Sequence, residues 1–223
     1  MISPSGDRAV IVVMAKAPRP GRVKTRLIPV LGTEGAAALH RCFLADTLAL
    51  ARAVGGTDVA LVAPSADAAL LAPVLPDAVP VVAQTGDGLA AGLEFAMAHF
   101  AAAGYQRILL FNSDSPHLPA PHLAEALTTL ADADLVAGPT EDGGYYLVGA
   151  RQPWPGLFEG GRMGTGGALT ALLEQAAARG LRTRVLASWF DVDTPPDLER
   201  LVSHLRERRG GSSRTRAFLG LDG

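Results

Sequence analysis

The chain has 223 residues, of which 48% are hydrophobic and 19% charged, enough for one domain with a sizeable core and too apolar for a disordered chain. A formal net charge of −2 and a pI near 6.2 give no cationic excess of the kind that binds nucleic acid or a membrane surface, so a small-molecule partner is expected. The single cysteine, Cys42, excludes an internal disulfide and a cysteine-rich zinc cluster and fits a reducing, cytoplasmic setting.

Residues 1–7 lack a basic, apolar signal pattern, and the longest apolar run, residues 9–15, is far short of the roughly 20 residues of a membrane helix. That run is the first predicted strand. Helical period follows over residues 34–54, where Leu39, Phe43, Thr47 and Leu50 form a seam while Arg41 and Arg52 face elsewhere. Strands are predicted at 57–63 and 79–83, a helix at 89–103, a strand at 107–112, a helix at 121–130 and a strand at 134–138. The next strand, 145–149, comes after a turn too short to hold a helix, which predicts a hairpin-like excursion in an otherwise parallel sheet. A helix at 168–179, a strand at 183–190 and a helix at 195–208 complete the pattern. The last helix has the clearest start, with Thr194 to cap, Pro195 at the first helical position and Asp197 to close a capping box. This alternation defines an α/β protein of three layers, a mostly parallel sheet of about seven strands with helices on both faces. Residues 1–205 are expected to form one domain, and 206–223, with five arginines between Arg206 and Arg216, a flexible basic tail.

The chemistry concentrates where strands end. After the first strand, residues 16–26 read Lys-Ala-Pro-Arg-Pro-Gly-Arg-Val-Lys-Thr-Arg, five cations in eleven positions. Ligands of open parallel sheets bind beyond the carboxyl ends of the strands, where this loop must lie. The chain holds 18 Arg and only 2 Lys, and both lysines, Lys16 and Lys24, fall here. A compact ammonium and a planar guanidinium together suit a polyphosphate, while Pro18 and Pro20 stiffen the loop and Gly21 lets its backbone approach the ligand. The alternative is a basic face answering the acidic rest of the molecule. The glycine spacing of a Walker A loop is absent.

The strand at 107–112 runs into Ser113-Asp114-Ser115-Pro116, which makes Asp114 a candidate Mg2+ ligand or, alternatively, a cap of the turn before Pro116. Asp191 and Asp193 end the last strand, and alternation along an extended segment points both the same way. Either is a candidate second ligand, and Asp193 also reads as a helix-start residue. In the turn Glu141-Asp142-Gly143-Gly144, the two glycines expose backbone N–H groups to an anionic or hydroxylic acceptor, and Asp-Gly-Gly is equally an ordinary hairpin signal. The five histidines show no zinc spacing, and no Gly-x-Ser-x-Gly elbow supports a serine hydrolase.

In order along the chain, Ala15 to Leu27, Ser113 to Pro116, Glu141 to Gly149 and Phe190 to Leu198 resemble the DUF2064 family, nucleotide-diphospho-sugar transferase-like proteins of glycosyltransferase-A type. The resemblance covers about residues 10–205 and extends to 2-phospho-lactate and molybdenum-cofactor guanylyltransferases. It implies that Lys24 and Arg26 hold a triphosphate, that Asp114 is the first ligand of Mg2+ (or Mn2+), and that Asp191 or Asp193 is the second. The stretch from Gln84 to Leu93 departs from the family's Gln-x-Gly-x-Asp-Leu-Gly-x-Arg pattern by lacking the arginine.

The expected site therefore has Lys24, Arg26 and Asp114 as catalytic groups. Lys16, Gly21, Arg22, Lys24, Arg26, Gly86 and Asp87 would bind nucleotide, Asp142, Gly143 and Gly144 the acceptor, and Asp114, Asp191 and Asp193 the metal. The expected reaction is Mg2+-dependent transfer of a nucleotidyl group from a nucleoside triphosphate to a small phosphorylated acceptor, with release of pyrophosphate. A glycosyltransferase using a nucleotide-sugar is the alternative, and a strict Asp-x-Asp at the middle strand end would favour it. That place reads Ser113-Asp114-Ser115. A non-catalytic nucleotide-binding regulator is the third reading, distinguished by binding without turnover. The base, the acceptor and the oligomeric state are not legible in the sequence.

Overall fold

Runs of Val, Ile, Leu and Ala form the centre of a seven-stranded sheet in the order β3-β2-β1-β4-β6-β5-β7. The structure is a computed structural model and describes residues 7–75, 79–159, 166–208 and 210–221. The strands are β1 (Ala9–Met14), β2 (Asp58–Pro64), β3 (Val81–Gln84), β4 (Arg107–Asn112), β5 (Leu135–Pro139), β6 (Tyr145–Ala150) and β7 (Thr183–Val185). The helices are α1 (Ile28–Ala53), α2 (Ser65–Leu71), α3 (Gly88–Ala102), α4 (Ala120–Thr129), α5 (Ala168–Ala178), α6 (Pro195–Glu207) and α7 (Ser213–Phe218). Among the described residues, β6 alone runs antiparallel to its neighbours, against β4 and β5, so the excursion expected from the short turn is present.

Alternate residues of β1 enter different cores. Ile11 and Val13 pack with Leu44 and Leu48 of α1 and Leu123 and Leu127 of α4, while Val10 and Val12 pack with Leu93 and Met97 of α3 and Leu172 of α5. Burial on both faces is why this strand reads as a continuous apolar run rather than an alternating one. A third cluster joins Leu27, Leu39 and Phe43 to Phe190, Val192, Leu201 and Leu205, which pins the segment after β7 beneath α6. Among the described residues, no helix is long and apolar enough to cross a membrane.

Several boundaries differ from expectation for identifiable reasons. The strand predicted to reach residue 190 stops at Val185, since Pro139 of β5 has no N–H to continue the ladder; beyond it only the Thr140–Trp189 bridge forms. Helix α1 begins at Ile28, and Gly32, at φ +70°, breaks its first turn from the rest. Helix α2 was too short and alanine-rich to stand out by period. The described part of the expected flexible tail is structured. Helix α7 lies on α1, where the buried carboxylate of Asp46 accepts the Arg214 and Thr215 N–H groups at 3.0 and 2.8 Å.

Candidate active site

Chain direction in the sheet changes course at β1, whose neighbours are β2 on one side and β4 on the other. Such a switch point opens a crevice beyond the carboxyl ends of the two strands. The cationic loop leaves β1 on this edge and the Ser113–Pro116 turn leaves β4 on the same edge. The segment after β7 closes against that turn through the Val192 N–H, which donates to the Asp114 carbonyl at 3.1 Å. Asp114, Asp191, Asp193 and the loop thus come from distant parts of the sequence to one place.

Lys24 is at its centre. Its backbone is left-handed (φ 47°, ψ 40°), a conformation that costs a non-glycine residue about 1–3 kcal/mol and turns its side chain inward. The ammonium reaches Asp114 Oδ1 at 2.5 Å, Asp193 Oδ1 at 2.9 Å and the Val192 carbonyl at 2.8 Å, and its side chain is only 3% exposed. Burial acts to lower the Lys24 pKa, but the charges of Asp114 and Asp193 prevail and the net direction is upward. For Asp114, burial acts to raise the pKa, and the nearby Lys24 charge, assisted by His40, brings it below the usual carboxylate range.

Asp191 is held differently. Its Oδ1 accepts hydrogen bonds from Ser115 Oγ at 2.5 Å and Asn112 Nδ2 at 2.8 Å, so it does not share the Lys24 ammonium. Burial, then the Asp114 charge, pushes its pKa up to about 6 against those two hydrogen bonds. Asn112 Oδ1 also accepts the Asp114 N–H at 3.2 Å, fixing the turn. Asn112 and Ser115 flank Asp114 in the sequence and could have been singled out with it. Asp193 is steadied by the helix start that the sequence predicted: Asp197 Oδ2 accepts from the Asp193 and Thr194 N–H groups and from Thr194 Oγ1.

Two loop cations are already committed to the protein. Lys24 is one, and Arg19, whose guanidinium lies 2.6 Å from Asp67 Oδ1, is the other. Asp67 also accepts the Ala17 N–H at 3.2 Å, and the His40 ring contacts the Lys16 carbonyl at 3.1 Å, so both brace the loop from beneath. Burial lowers the His40 pKa. Neither Asp67 nor His40 carries a motif. Lys16, Arg22 and Arg26 are exposed and, among the described residues, make no ion pair. Gly21 adopts φ +73°, where a side chain would be strained.

On the β3 side, Gly86 and Asp87 lie in an exposed turn, with Gly86 and Gly88 at φ +79° and +85°. The Gln84 amide donates to the Gly86 and Gly88 carbonyls, both at 3.2 Å, and thereby shapes the turn. Gly92 makes room for it, since a Cβ there would lie 2.4 Å from Gln84 Oε1. On the β5 side, Asp142 Oδ1 accepts from Thr140 Oγ1 at 2.5 Å and the Gly144 N–H at 3.1 Å, so this carboxylate organises the turn that carries Gly143 and Gly144. Glu141 is clamped by Arg200 of α6 at 2.5 and 2.8 Å, and that guanidinium also lies 3.8 Å above the Phe190 ring.

Among the described residues, no group of three or more His, Cys, Asp or Glu side chains forms a ready-made metal cage. The hard oxygens of Asp114 and Asp193, directed at one cation, fit a divalent ion of the magnesium class, which is commonly held by one or two carboxylates plus substrate phosphates.

Residues 47–165 match the family described as uncharacterized protein conserved in bacteria, DUF2064. Among solved structures, the chain is similar to a Desulfovibrio desulfuricans G20 protein described as a candidate nucleotide-diphospho-sugar transferase, with 34% identity over 95% of this chain and 94% of that one and a TM-score of 0.85. It shares its fold with the inositol-1-phosphate CTP transferase of T. maritima, at 15% identity over 95% and 98% of the two chains and a TM-score of 0.56. The same holds for Rv0371c of Mycobacterium tuberculosis H37Rv, solved in complex with manganese, at 20% identity over 90% and 100% and a TM-score of 0.52. No curated protein matches the sequence. With a family match over more than half of the chain and 34% identity to a solved relative along nearly its whole length, this protein belongs to the DUF2064 family and has the nucleotide-diphospho-sugar transferase fold.

Proposed function

We propose that the protein is a divalent-metal-dependent nucleotidyltransferase. The observation that carries the reading is the meeting of Asp114 and Asp193 at Lys24, in the crevice between β1 and β4, beside a loop whose Lys16, Arg22 and Arg26 are free to meet phosphates. The order of the strands supports a direction for the substrate. The turn at Gly86 and Asp87 belongs to the β3 side and suits the nucleoside, the loop from Lys16 to Arg26 suits the triphosphate, and Asp142, Gly143 and Gly144 on the β5 side suit the acceptor.

An oxyanion of a small phosphorylated acceptor attacks the α-phosphorus; the new P–O bond forms as the α–β bridging bond breaks, and pyrophosphate leaves with the electron pair. Arg22, Arg26 and Lys16 neutralise the departing charge, and no covalent enzyme intermediate is needed, because positioning and electrostatics supply the rate. Asp114 and Asp193 would hold Mg2+ or Mn2+, which supplies charge neutralisation at the phosphates; Asp191, hydrogen-bonded by Asn112 and Ser115, adds negative charge behind them. The names of three fold relatives, an inositol-1-phosphate CTP transferase, a CMP:2-keto-3-deoxy-manno-octonic acid synthetase in complex with CTP, and Rv0371c in complex with manganese, support this reading.

A second reading, glycosyl transfer from a nucleotide-sugar, is favoured by the description of the D. desulfuricans relative and by the loop itself, where commitment of Arg19 and Lys24 leaves three of five cations for phosphates. Incubation with each nucleoside triphosphate, Mg2+ or Mn2+ and a pool of phosphorylated small molecules separates the two. Pyrophosphate release is the expected result. Consumption of a nucleotide-sugar to a nucleoside diphosphate, with no pyrophosphate from any triphosphate, assigns the glycosyl reaction instead.

A further inference from the structure

Lys24 has the geometry of an ion bound in a cage rather than of a side chain waiting for substrate. An ammonium has three N–H donors, and three acceptors surround this one: Asp114 Oδ1, Asp193 Oδ1 and the Val192 carbonyl. Its side chain is 3% exposed, whereas those of Asp114 and Asp193 are 34% and 47% exposed. The lysine thus approaches the carboxylates from inside and leaves their outer side facing the crevice.

We infer that Lys24 is an internal counter-cation that competes with the divalent ion for Asp114 and Asp193, so that metal binds tightly only after nucleotide phosphates have drawn the ammonium off the carboxylates. The inference rests on the reading of this place as a metal and phosphate site, and adds an order of binding to it. A divalent ion arriving from the crevice meets carboxylates whose charge is already partly neutralised, and it is repelled by a cation on their far side. Phosphate oxygens held by Arg22 and Arg26, on the same loop, are competing acceptors for the Lys24 donors. Movement of the ammonium toward them would remove the repulsion.

Two local features favour such a transfer. Lys24 has φ 47°, a left-handed conformation that a non-glycine residue keeps only where its native contacts hold it, and Gly21, three residues before it at φ 73°, is a position of free backbone rotation. The residue type also fits, because an ammonium on a flexible stem can change acceptors without the paired geometry an Arg fork demands. In a chain that uses Arg at 18 of its 20 Lys and Arg positions, the lysine at this one is specific.

Binding, rather than turnover, tests the idea. Mn2+ titration of the nucleotide-free 223-residue chain, followed by electron paramagnetic resonance, should show the Lys24→Met variant binding at least about tenfold more tightly than the unaltered chain, within the usual range of coupling between two sites. Equal or weaker binding by a folded Lys24→Met protein overturns the inference. A second measurement needs no variant. With lysines at only positions 16 and 24, the protein labelled with 13C-lysine gives two ε-methylene signals. Inorganic triphosphate, added without metal, should move the Lys24 signal toward that of the exposed Lys16; a Lys24 signal that stays fixed while triphosphate saturates the protein overturns the inference. A protein that passes both tests yet releases no pyrophosphate from any triphosphate keeps the cation exchange and loses the nucleotidyltransferase reading.

Discussion

At the scale of single residues, what sequence can see depends on where a partner lies. The place of Asp114 at the carboxyl edge of the sheet is legible, because it follows directly on a buried strand. The burial of Lys24 is not, since a lysine among five cations reads as solvated and its partners lie 90, 168 and 169 positions away. That burial changes the choice of variant for testing Asp114. Alanine would strip a buried ammonium of one acceptor, whereas Asp114→Asn keeps an oxygen facing Lys24 and removes only the charge. The expected outcome is a loss of turnover of about 100-fold or more, with stability reduced by roughly 1 kcal/mol, read by pyrophosphate release and by urea titration; full activity would dismiss the carboxylate from the site. Arg26, exposed and without an ion pair among the described residues, is the cleaner probe of the loop. Arg26→Ala should weaken triphosphate binding by about five- to tenfold and monophosphate binding much less, measured by calorimetry at fixed salt, because a charge-assisted contact contributes roughly 1–1.5 kcal/mol here. His117 makes a pH prediction. Buried among Trp189, Phe190 and His204, it has its pKa lowered to about 3, first by burial and then by the charges of His204 and Arg200. The folded chain binds this proton less tightly than the unfolded chain does, so the stability it contributes is complete above about pH 6.5 and is lost as pH falls toward 3. His117→Phe should flatten the acid limb of stability against pH by about 3 kcal/mol at pH 4, by urea midpoints; an unchanged limb would show that His117 does not titrate this way.

At the scale of elements, the strands were legible where both faces are buried and poorly so where a single residue ends them. The excursion of β6 followed from the length of the turn before it, and the capped start of α6 from Thr194, Pro195 and Asp197. The end of β7 was set by Pro139 on its neighbour, a dependence on pairing that no local pattern carries. The same limit applies to the turn at Gly143. Its two glycines read as a hairpin signal or as a place for an acceptor, and the structure gives Gly143 a structural duty whatever else it does. It has φ 87°, and a Cβ there would lie 2.4 Å from the Gly166 carbonyl oxygen. Its own carbonyl accepts the Leu169 N–H at 3.1 Å, tying the turn to the start of α5. Gly143→Ala should therefore cost about 2 kcal/mol or more in urea unfolding, from backbone strain and the clash together. A neutral effect would mean that the turn and the start of α5 move apart freely.

At the scale of the whole molecule, two cores on opposite faces of the sheet follow from apolar runs and helical periods, and so does the crevice at the carboxyl edge. The end of the chain does not, because an arginine-rich stretch has the composition of a solvated tail. Its order comes from two things invisible locally: a carboxylate inside α1, Asp46, that caps α7, and the partly buried Phe218, Leu219 and Leu221, which join the cluster holding Phe190 and Val192. Through that cluster, and through Ser212 Oγ, which donates to the Pro116 carbonyl at 2.9 Å, the last segment touches both the turn after β4 and the segment after β7 that carry the carboxylates. Removing residues 209–223 should take away those three side chains, uncover the cluster they pack against and lower stability by about 3 kcal/mol, at roughly 1 kcal/mol for each partly buried apolar group lost. The same truncation should reduce turnover more than nucleotide binding, because it loosens Asp114 and Asp193 and leaves the loop of Lys16, Arg22 and Arg26 as it was. Urea midpoints and a comparison of turnover with calorimetric affinity check both halves, and a truncated chain of unchanged stability and activity would return these residues to the role of a free tail.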